Sequence, residues 1–439
     1  MITEQNKQLA RAAMDYALNH GCTAAKVLLY ANSHSEFSLR DGQVEKLQQA
    51  SENGLSIDLF VDGRYGNYST NRLVQGEVER FIENGIASTR YLAVDEHRIL
   101  PDPERYYHGS LPDLKLFDPR FYEIDPDVKL GLARSAAEEV MGTDDRIISV
   151  STSYLDGEDN LFRLTSNGFE GESSSSWFSL SAEVSMKGEG ESRPAAGWYE
   201  QTLFFDELPK TGYGRQALER ATCKLGQRKV ESGSYTMVVD RLVSRQLLAP
   251  LMNALKGGNL QQNNSFLLDK LHAQVGSSLL NLRDEPHLQG AFGARYFDAE
   301  GVATRPRDVF HDGVLQTYFI NTYNAHQMGV APTISNPSLL VMQQGTKDLS
   351  GLVGDVERGV LVTGFNGGNC NSSTGNFSYG IEGFLIEHGQ LTVPLGEMNV
   401  TGNMLSLWAS LVAVGNDART CSSWRIPSLV FEGVQFSGL

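Results

Sequence analysis

Histidine and cysteine are the side chains here best suited to hold a metal or serve as a nucleophile, and their spacing decides which chemistry is open. The nine histidines are His20, His34, His97, His108, His272, His287, His311, His326 and His388. None belongs to an HxH, HxxxH or HExxH pattern, whereas a zinc site needs three or four N, S or O donors converging, most often announced by helical pairs. His272 and His287 come nearest to a pair, at a spacing that fixes no geometry. A site assembled from distant residues, such as His287, His311 or His326 with Asp or Glu neighbours, stays open. Scattered surface or hydrogen-bonded histidines explain the same set more simply.

Nucleophile and phosphate motifs are as sparse. There is no GxSxG elbow, and the run Ser173–Ser176 between Gly171-Glu172 and Trp177 reads as a hairpin loop. Cys421 stands in Arg419-Thr420-Cys421-Ser422-Ser423, where an arginine could favour the reactive thiolate, but no neighbouring histidine offers a base. Gly364-Phe365-Asn366-Gly367-Gly368-Asn369 follows an apolar run as a phosphate loop does, yet the Lys-Ser/Thr pair is missing and Asn371–Gly375 continues as turn.

The elements that must position any site alternate between helices and hairpins. Leu9, Ala12, Ala13, Tyr16 and Ala17 recur at helical spacing before Gly21. Alternating residues flank Asp41-Gly42 and again Asp62-Gly63, a strong short-range hairpin signal. Helices are expected near 74–86, 128–140 and 213–225, and strands at 147–154, 161–166 and 177–186 around a turn at Asn167-Gly168. This second round of helix, strand and hairpin resembles the first 90 residues, as a duplication would. The proline-rich stretch 95–125 reads as an irregular surface connection. Beyond Gly233, Tyr235–Val239 reads as a buried strand and Arg241–Leu255 as a helix, followed by short strands and glycine turns. The expected class is α+β with mostly antiparallel sheet. Two domains are expected, an α+β module over residues 1–228 and a larger sheet-rich module over 229–439.

The bulk numbers exclude several classes. A formal net charge of −16 repels phosphate backbones, which argues against direct nucleic-acid binding. Four separated cysteines without a CxxC read as thiols of a reducing compartment. The polar, helix-like start lacks the pattern of a signal peptide, and no window approaches the roughly 18 apolar residues of a membrane span. The expected location is the cytoplasm, with no membrane contact.

Strings in the last third carry a resemblance. Gly396-Glu397-Met398-Asn399-Val400-Thr401-Gly402-Asn403 resembles the "EITIAGN" signature of TldD/PmbA proteins. Val412–Asp417 and Ile426–Leu429 are similar to that family's "VAVGND" and "xPSLLI" strings, in order and spacing. Thr374–Ser378 with Gly383–Glu387, and Asp298–Thr304, match two more. The likeness runs the whole chain and is dense from about Ser277 onward. The family is also labelled a modulator of DNA gyrase.

The resemblance implies a division of labour. TldD-like members carry HExxxH on a helix early in the C-terminal domain and a later cysteine ligand, with the Glu as base on zinc-bound water. Aligned on Leu247-Leu248, this chain places Ala249 and Ala254 at the histidine positions and Pro250 at the glutamate position. Cys421 falls near the cysteine position, but the segment between Asp417 and Pro427 lacks the Gly-rich loop, so that role is not carried over. The chain therefore resembles the PmbA (TldE-like) subunit, a non-catalytic partner in a cytoplasmic metalloprotease that processes unfolded proteins or peptides. No cofactor is expected in this chain, zinc being expected in a TldD-like partner. Pairing is expected with that partner or, as a homodimer, with a second copy. Asn366, Gly367, Gly368, Asn369, Gly402 and Asn403 are candidates to line a peptide groove, although turns needing Gly or Asn freedom account for them more simply. Two alternatives stand beside this reading: a self-sufficient hydrolase with a cryptic metal site, and a homodimeric module that captures peptides along a sheet edge.

Overall fold

The computed structural model describes residues 2–439. Helix α1 (Glu4–Asn19) starts with a capping box, in which the Thr3 side chain accepts from the Asn6 N–H and the Asn6 side chain answers the Thr3 N–H. Then come β1 (Ala24–Arg40), β2 (Gln43–Val61), β3 (Arg64–Thr70) and α2 (Gln75–Thr89). The second round is α3 (Pro126–Glu138), β4 (Ile147–Thr165), β5 (Glu170–Met186), β6 (Ala195–Thr202) and α4 (Tyr213–Cys223). The two Asp-Gly turns hold positive φ at both residues, 51° and 76° at Asp41-Gly42 and 51° and 72° at Asp62-Gly63, as right-twisted two-residue hairpins require.

All six strands form one antiparallel sheet in the order β3-β2-β1-β4-β5-β6. Its two halves, each a helix, three strands and a helix, meet at the β1–β4 pair, unbroken in register from Lys26↔Thr165 to Arg40↔Ser151. Residues opposite each other in this pair share a face, and the helices cover that face in two places. Val27, Leu29, Leu55 and Ile57 pack with Ala10, Ala13 and Ile82. Leu39, Tyr154, Phe178 and Leu180 pack with Ala133, Ala137 and Ala217. Between them lies a buried polar strip. Lys129 Nζ of α3 sits 2.6 Å from Asp156 Oδ2, which also accepts from Tyr154 OH at 3.0 Å. Glu158 accepts from Tyr122 OH at 2.5 Å and from Asn160 Nδ2 at 2.9 Å.

That strip explains a difference from the sequence reading. The expected strands 147–154 and 161–166 are joined in one 19-residue strand, Ile147–Thr165, because Asp156, Glu158 and Asn160 find partners inside the fold instead of forming a loop. The Ser173–Ser176 run is likewise not a hairpin loop; it pairs within β5 against Leu161–Glu158. Residues 95–125 are irregular, with two short 3₁₀ turns, but they do not simply cover the surface. Tyr106, Leu114 and Asp118 are buried, and Tyr106 packs with Phe169 and Phe297 where the two parts of the molecule meet.

The second part comprises β7 (Gly233–Val239), α5 (Ser244–Ala254), α6 (Gly257–Gln261), β8 (Leu282–Asp284), β9 (Arg307–His311), β10 (Val314–Leu315) and α7 (Thr322–Met328). It continues through β11 (Leu340–Met342), α8 (Leu349–Gly354), β12 (Arg358–Cys370), β13 (Asn376–Glu387) and β14 (Gln390–Asn403). It ends with α9 (Met404–Ala409), β15 (Leu411–Val414), β16 (Trp424–Arg425) and β17 (Leu429–Ser437). The large sheet runs β14-β13-β12-β7-β17-β15, and β14 also pairs with β17 at Asn399↔Ser437 and Val400↔Phe436. The five strands β7, β12, β13, β14 and β17 thus close on themselves, which removes open edges. Tyr235, Met237 and Val239 of β7 face the main core with Leu247 and Leu251 of α5. Val238 faces the other way, onto Leu361, Ile386 and Val430. A smaller sheet, β10-β9-β8-β11-β16, completes this part. The fold is α+β, and among the described strand pairs β7–β12 and β11–β16 are the parallel ones, with two isolated parallel bridges at Arg228↔Leu395 and Lys256↔Phe319.

Candidate functional site

Helix α5 buries Leu247, Leu248, Leu251 and Met252 on one side. Ala249 and Pro250 are half-buried and Ala254 is buried, and none of the three side chains offers a donor to a metal or a proton acceptor. Arg245, one helical turn before Ala249 and so on the same face, lays its guanidinium over the Trp424 ring at 4.7 Å. A fixed positive charge there opposes a cation as well. The residues present do not fit a zinc ion at the positions where the resemblance would put one.

The other sequence candidates are engaged separately. Cys421 is buried, and burial pushes its thiol up against the opposing pull of Arg419. The loop that carries it docks on β6, where Arg419 lies over Trp198 and Tyr199 at 4.9 and 4.6 Å and pairs with Glu200 at 3.0 Å. His287 Nε2 is 2.9 Å from Thr304 Oγ1, with its basicity lowered mainly by burial. His311 is exposed, 3.7 Å from Asp312. His326 meets His97, their Nδ1 atoms 2.9 Å apart, a contact between residues too distant in the chain for any spacing pattern to announce. Among the described residues no three His, Cys, Asp or Glu side chains converge as a metal-ligand set.

The Gly/Asn candidates are brought to one end of the closed sheet. Asn366–Asn369 lie in β12 and Gly402-Asn403 at the end of β14, with the start of β13 between them. The register of β12 shifts between Phe365 and Gly368, and Gly367 and Gly368 adopt φ of 76° and 92°. A Cβ on Gly368 would collide with the Ser378 carbonyl oxygen. Asn403 caps α9 by accepting from Leu405 N–H at 3.0 Å, and its amide donates to Thr374 O and Asn376 Oδ1. Asn366 and Asn369 stay exposed.

A cleft of about 600 Å³ lies between the uncovered face of the six-stranded sheet and residues 291–299 with Ser338. Asp159, Arg163 and Trp177 project into its walls from β4 and β5. Sequence reasoning passed over it, since its two sides come from segments far apart in the chain. The one available signal was the placement of Asp159, Arg163 and Trp177 at odd positions of β4 and β5, whose even positions face the helices.

Three family models match consecutive parts of the chain: PmbA/TldA metallopeptidase domain 1 over residues 25–89, the central domain over 119–225 and the C-terminal domain over 232–438. A crystal structure of a Bacteroides thetaiotaomicron protein described as a candidate modulator of DNA gyrase is 63% identical, with a TM-score of 0.99 and full coverage of both chains. Metalloprotease PmbA of Escherichia coli O157:H7 is 26% identical over 94% of this chain and 92% of its own. TldE from Thermococcus kodakarensis, at 18% identity, shares the fold with a TM-score of 0.86 over 98% of this chain and all of that one. With its three parts matched in order and its closed sheet carrying the signature strings, the chain belongs to the PmbA/TldD family.

Proposed function

We propose that this chain is a non-catalytic, PmbA/TldE-type subunit that pairs in the cytoplasm with a zinc-bearing, TldD-like partner acting on peptides or unfolded proteins. The observation that carries this reading is the α5 face, where Ala249, Pro250 and Ala254 stand with Arg245 nearby. A hydrolytic zinc site needs ligands that hold the ion and a base for its water, and this face supplies neither. The fold shared with TldE and the relatives named as metalloproteases support the family role. No described helix is long and apolar enough to cross a membrane. The chain's own contribution is then to bind substrate or to complete and stabilise the partner. The exposed β12–β14 end, with Asn366 and Asn369, is our candidate for contacting an extended peptide through main-chain hydrogen bonds.

The test is to purify the chain alone and together with a TldD-like protein from the same source, then measure zinc content and casein hydrolysis. The expected result is no stoichiometric metal and no hydrolysis for the chain alone, and a stable, active complex with the partner. One tightly held metal per lone chain, together with hydrolysis, overturns the reading.

A further inference from the structure

The cleft on the uncovered face of the six-stranded sheet contains two cations without ion-pair partners, Arg163 buried and Arg295 half-buried. Arg163 is 8% exposed; its Nη1 donates to the Asp298 carbonyl at 2.7 Å, and its Nε is buried without any partner. Arg295, from the opposite wall, gives Nε to Ser338 Oγ at 2.8 Å and Nη2 to the Asn336 and Pro337 carbonyls. Neither forms an ion pair with a described residue. Asp298 is the strongest opposing charge on both, its carboxylate held by the N–H groups of Glu300, Val302 and Ser335 and not by either guanidinium, with weaker pulls from Asp58 and Glu300 on Arg163 and from Asp284 on Arg295. Burial disfavours the charge on both guanidiniums. A buried cation that meets only neutral acceptors is costly unless an anion joins it.

The rest of the cleft limits what that anion is attached to. Trp177 forms a flat wall over Gly157, and it lines the cleft beside Asp159. Tyr296 lines the same cavity, whose volume falls in the range of small-molecule sites. Asp159 and Arg163 share a strand face four positions apart, about 13 Å at the usual rise per residue, so the acid stands away from the cations and disfavours a polyanion. We propose that this cleft binds a small ligand with one anionic group, its carboxylate or phosphate held by Arg163 and Arg295 and its planar or apolar body against Trp177 and Tyr296. Guanidinium is the group of choice for such oxyanions. This site does not depend on the subunit role, and losing that role leaves it standing.

Calorimetric titration of the full chain with 3-phenylpropanoate, its neutral amide, phenyl phosphate and inorganic phosphate tests it. At least one aromatic anion is expected to bind one-to-one, at least tenfold tighter than the amide; the tighter of the two anions identifies the source as carboxylate or phosphate. Arg163→Gln is expected to remove that tenfold preference. Ser173→Phe fills the cleft without touching the buried charges, so it decides the matter should Arg163→Gln unfold, and it is expected to abolish binding. Equal affinity for acid and amide, no anion binding at millimolar concentration, or unchanged binding in Ser173→Phe overturns the proposal and leaves the arginines as clamps between the two parts of the chain.

Discussion

Lys129 and Asp156 face each other at 2.6 Å with side-chain exposures of 11% and 1%, so each charge is tolerable only beside the other. Lys129→Met should cost about 3–5 kcal/mol by stranding the carboxylate, read from urea melts, while a double Lys129→Met, Asp156→Leu change should recover much of the loss. If the single variant melts like the parent, the strip is not the electrostatic unit described. The thiols make a second check. Burial pushes Cys22 up to about 11 and also raises Cys370 and Cys421, whereas Cys223 is exposed. At pH near 8 a thiol reagent should modify Cys223 first, and Cys22 and Cys421 only as the chain unfolds; mass spectrometry of the labelled peptides reads the order. Lys210 offers a pH test. Burial lowers its amine from 10.5 to about 8, with its Nζ 3.5 Å from the centre of the Phe205 ring. Between those two values the unfolded chain binds the extra proton, so stability from this group rises with pH across the window and is missing below it. Because the side chain is partly solvated, the gain should be no more than about 1 kcal/mol, and Lys210→Met should flatten it.

At the scale of elements, the bulge in β12 gives two neighbouring glycines different reasons to be there. Gly367 has positive φ and open space around it, so Gly367→Ala should cost about 1 kcal/mol of backbone strain. Gly368 has positive φ and the Ser378 carbonyl against it, so Gly368→Ala should cost more, about 2–3 kcal/mol, and shift β13. Equal costs in thermal melts would show that the β12–β13 approach is looser than drawn. The same contrast between local and distant causes decides what could be read from the sequence. The Asp-Gly hairpins, the capped α1 and the apolar stripe of α5 are determined by neighbours in the chain, and they stand where the residues place them. The unbroken β4 and the serine-rich middle of β5 were legible only through partners across the sheet, so polarity there was misread as loop. Closure of the second sheet depends on β7 meeting β17 almost two hundred residues later, which no local pattern announces. For the candidate site, the absence of ligands at Ala249, Pro250 and Ala254 was legible, while the convergence of Arg163 and Arg295 was not.

In the molecule as a whole, the two parts are fastened by a few partly buried ion pairs, including Lys224 with Glu382 at 2.7 Å and Arg419 with Glu200 at 3.0 Å. Removing both cations should lower the melting temperature by several degrees and speed proteolysis in the 225–232 connection, with the circular dichroism of the folded state unchanged. Cleavage at an unaltered rate would place the fastening in the buried Tyr106–Phe169–Phe297 contacts instead. The seam between the halves of the six-stranded sheet has another consequence. Strand β1 begins at Ala24, but its central neighbour β4 begins only at Ile147. At roughly 5–20 residues per second of synthesis, about 6–25 s pass in which the nascent first half displays a long, unsatisfied β1 edge. During that interval the ribosome-bound chain is a natural client for chaperones, and slow codons between residues 90 and 146 would lengthen its exposure to misassembly.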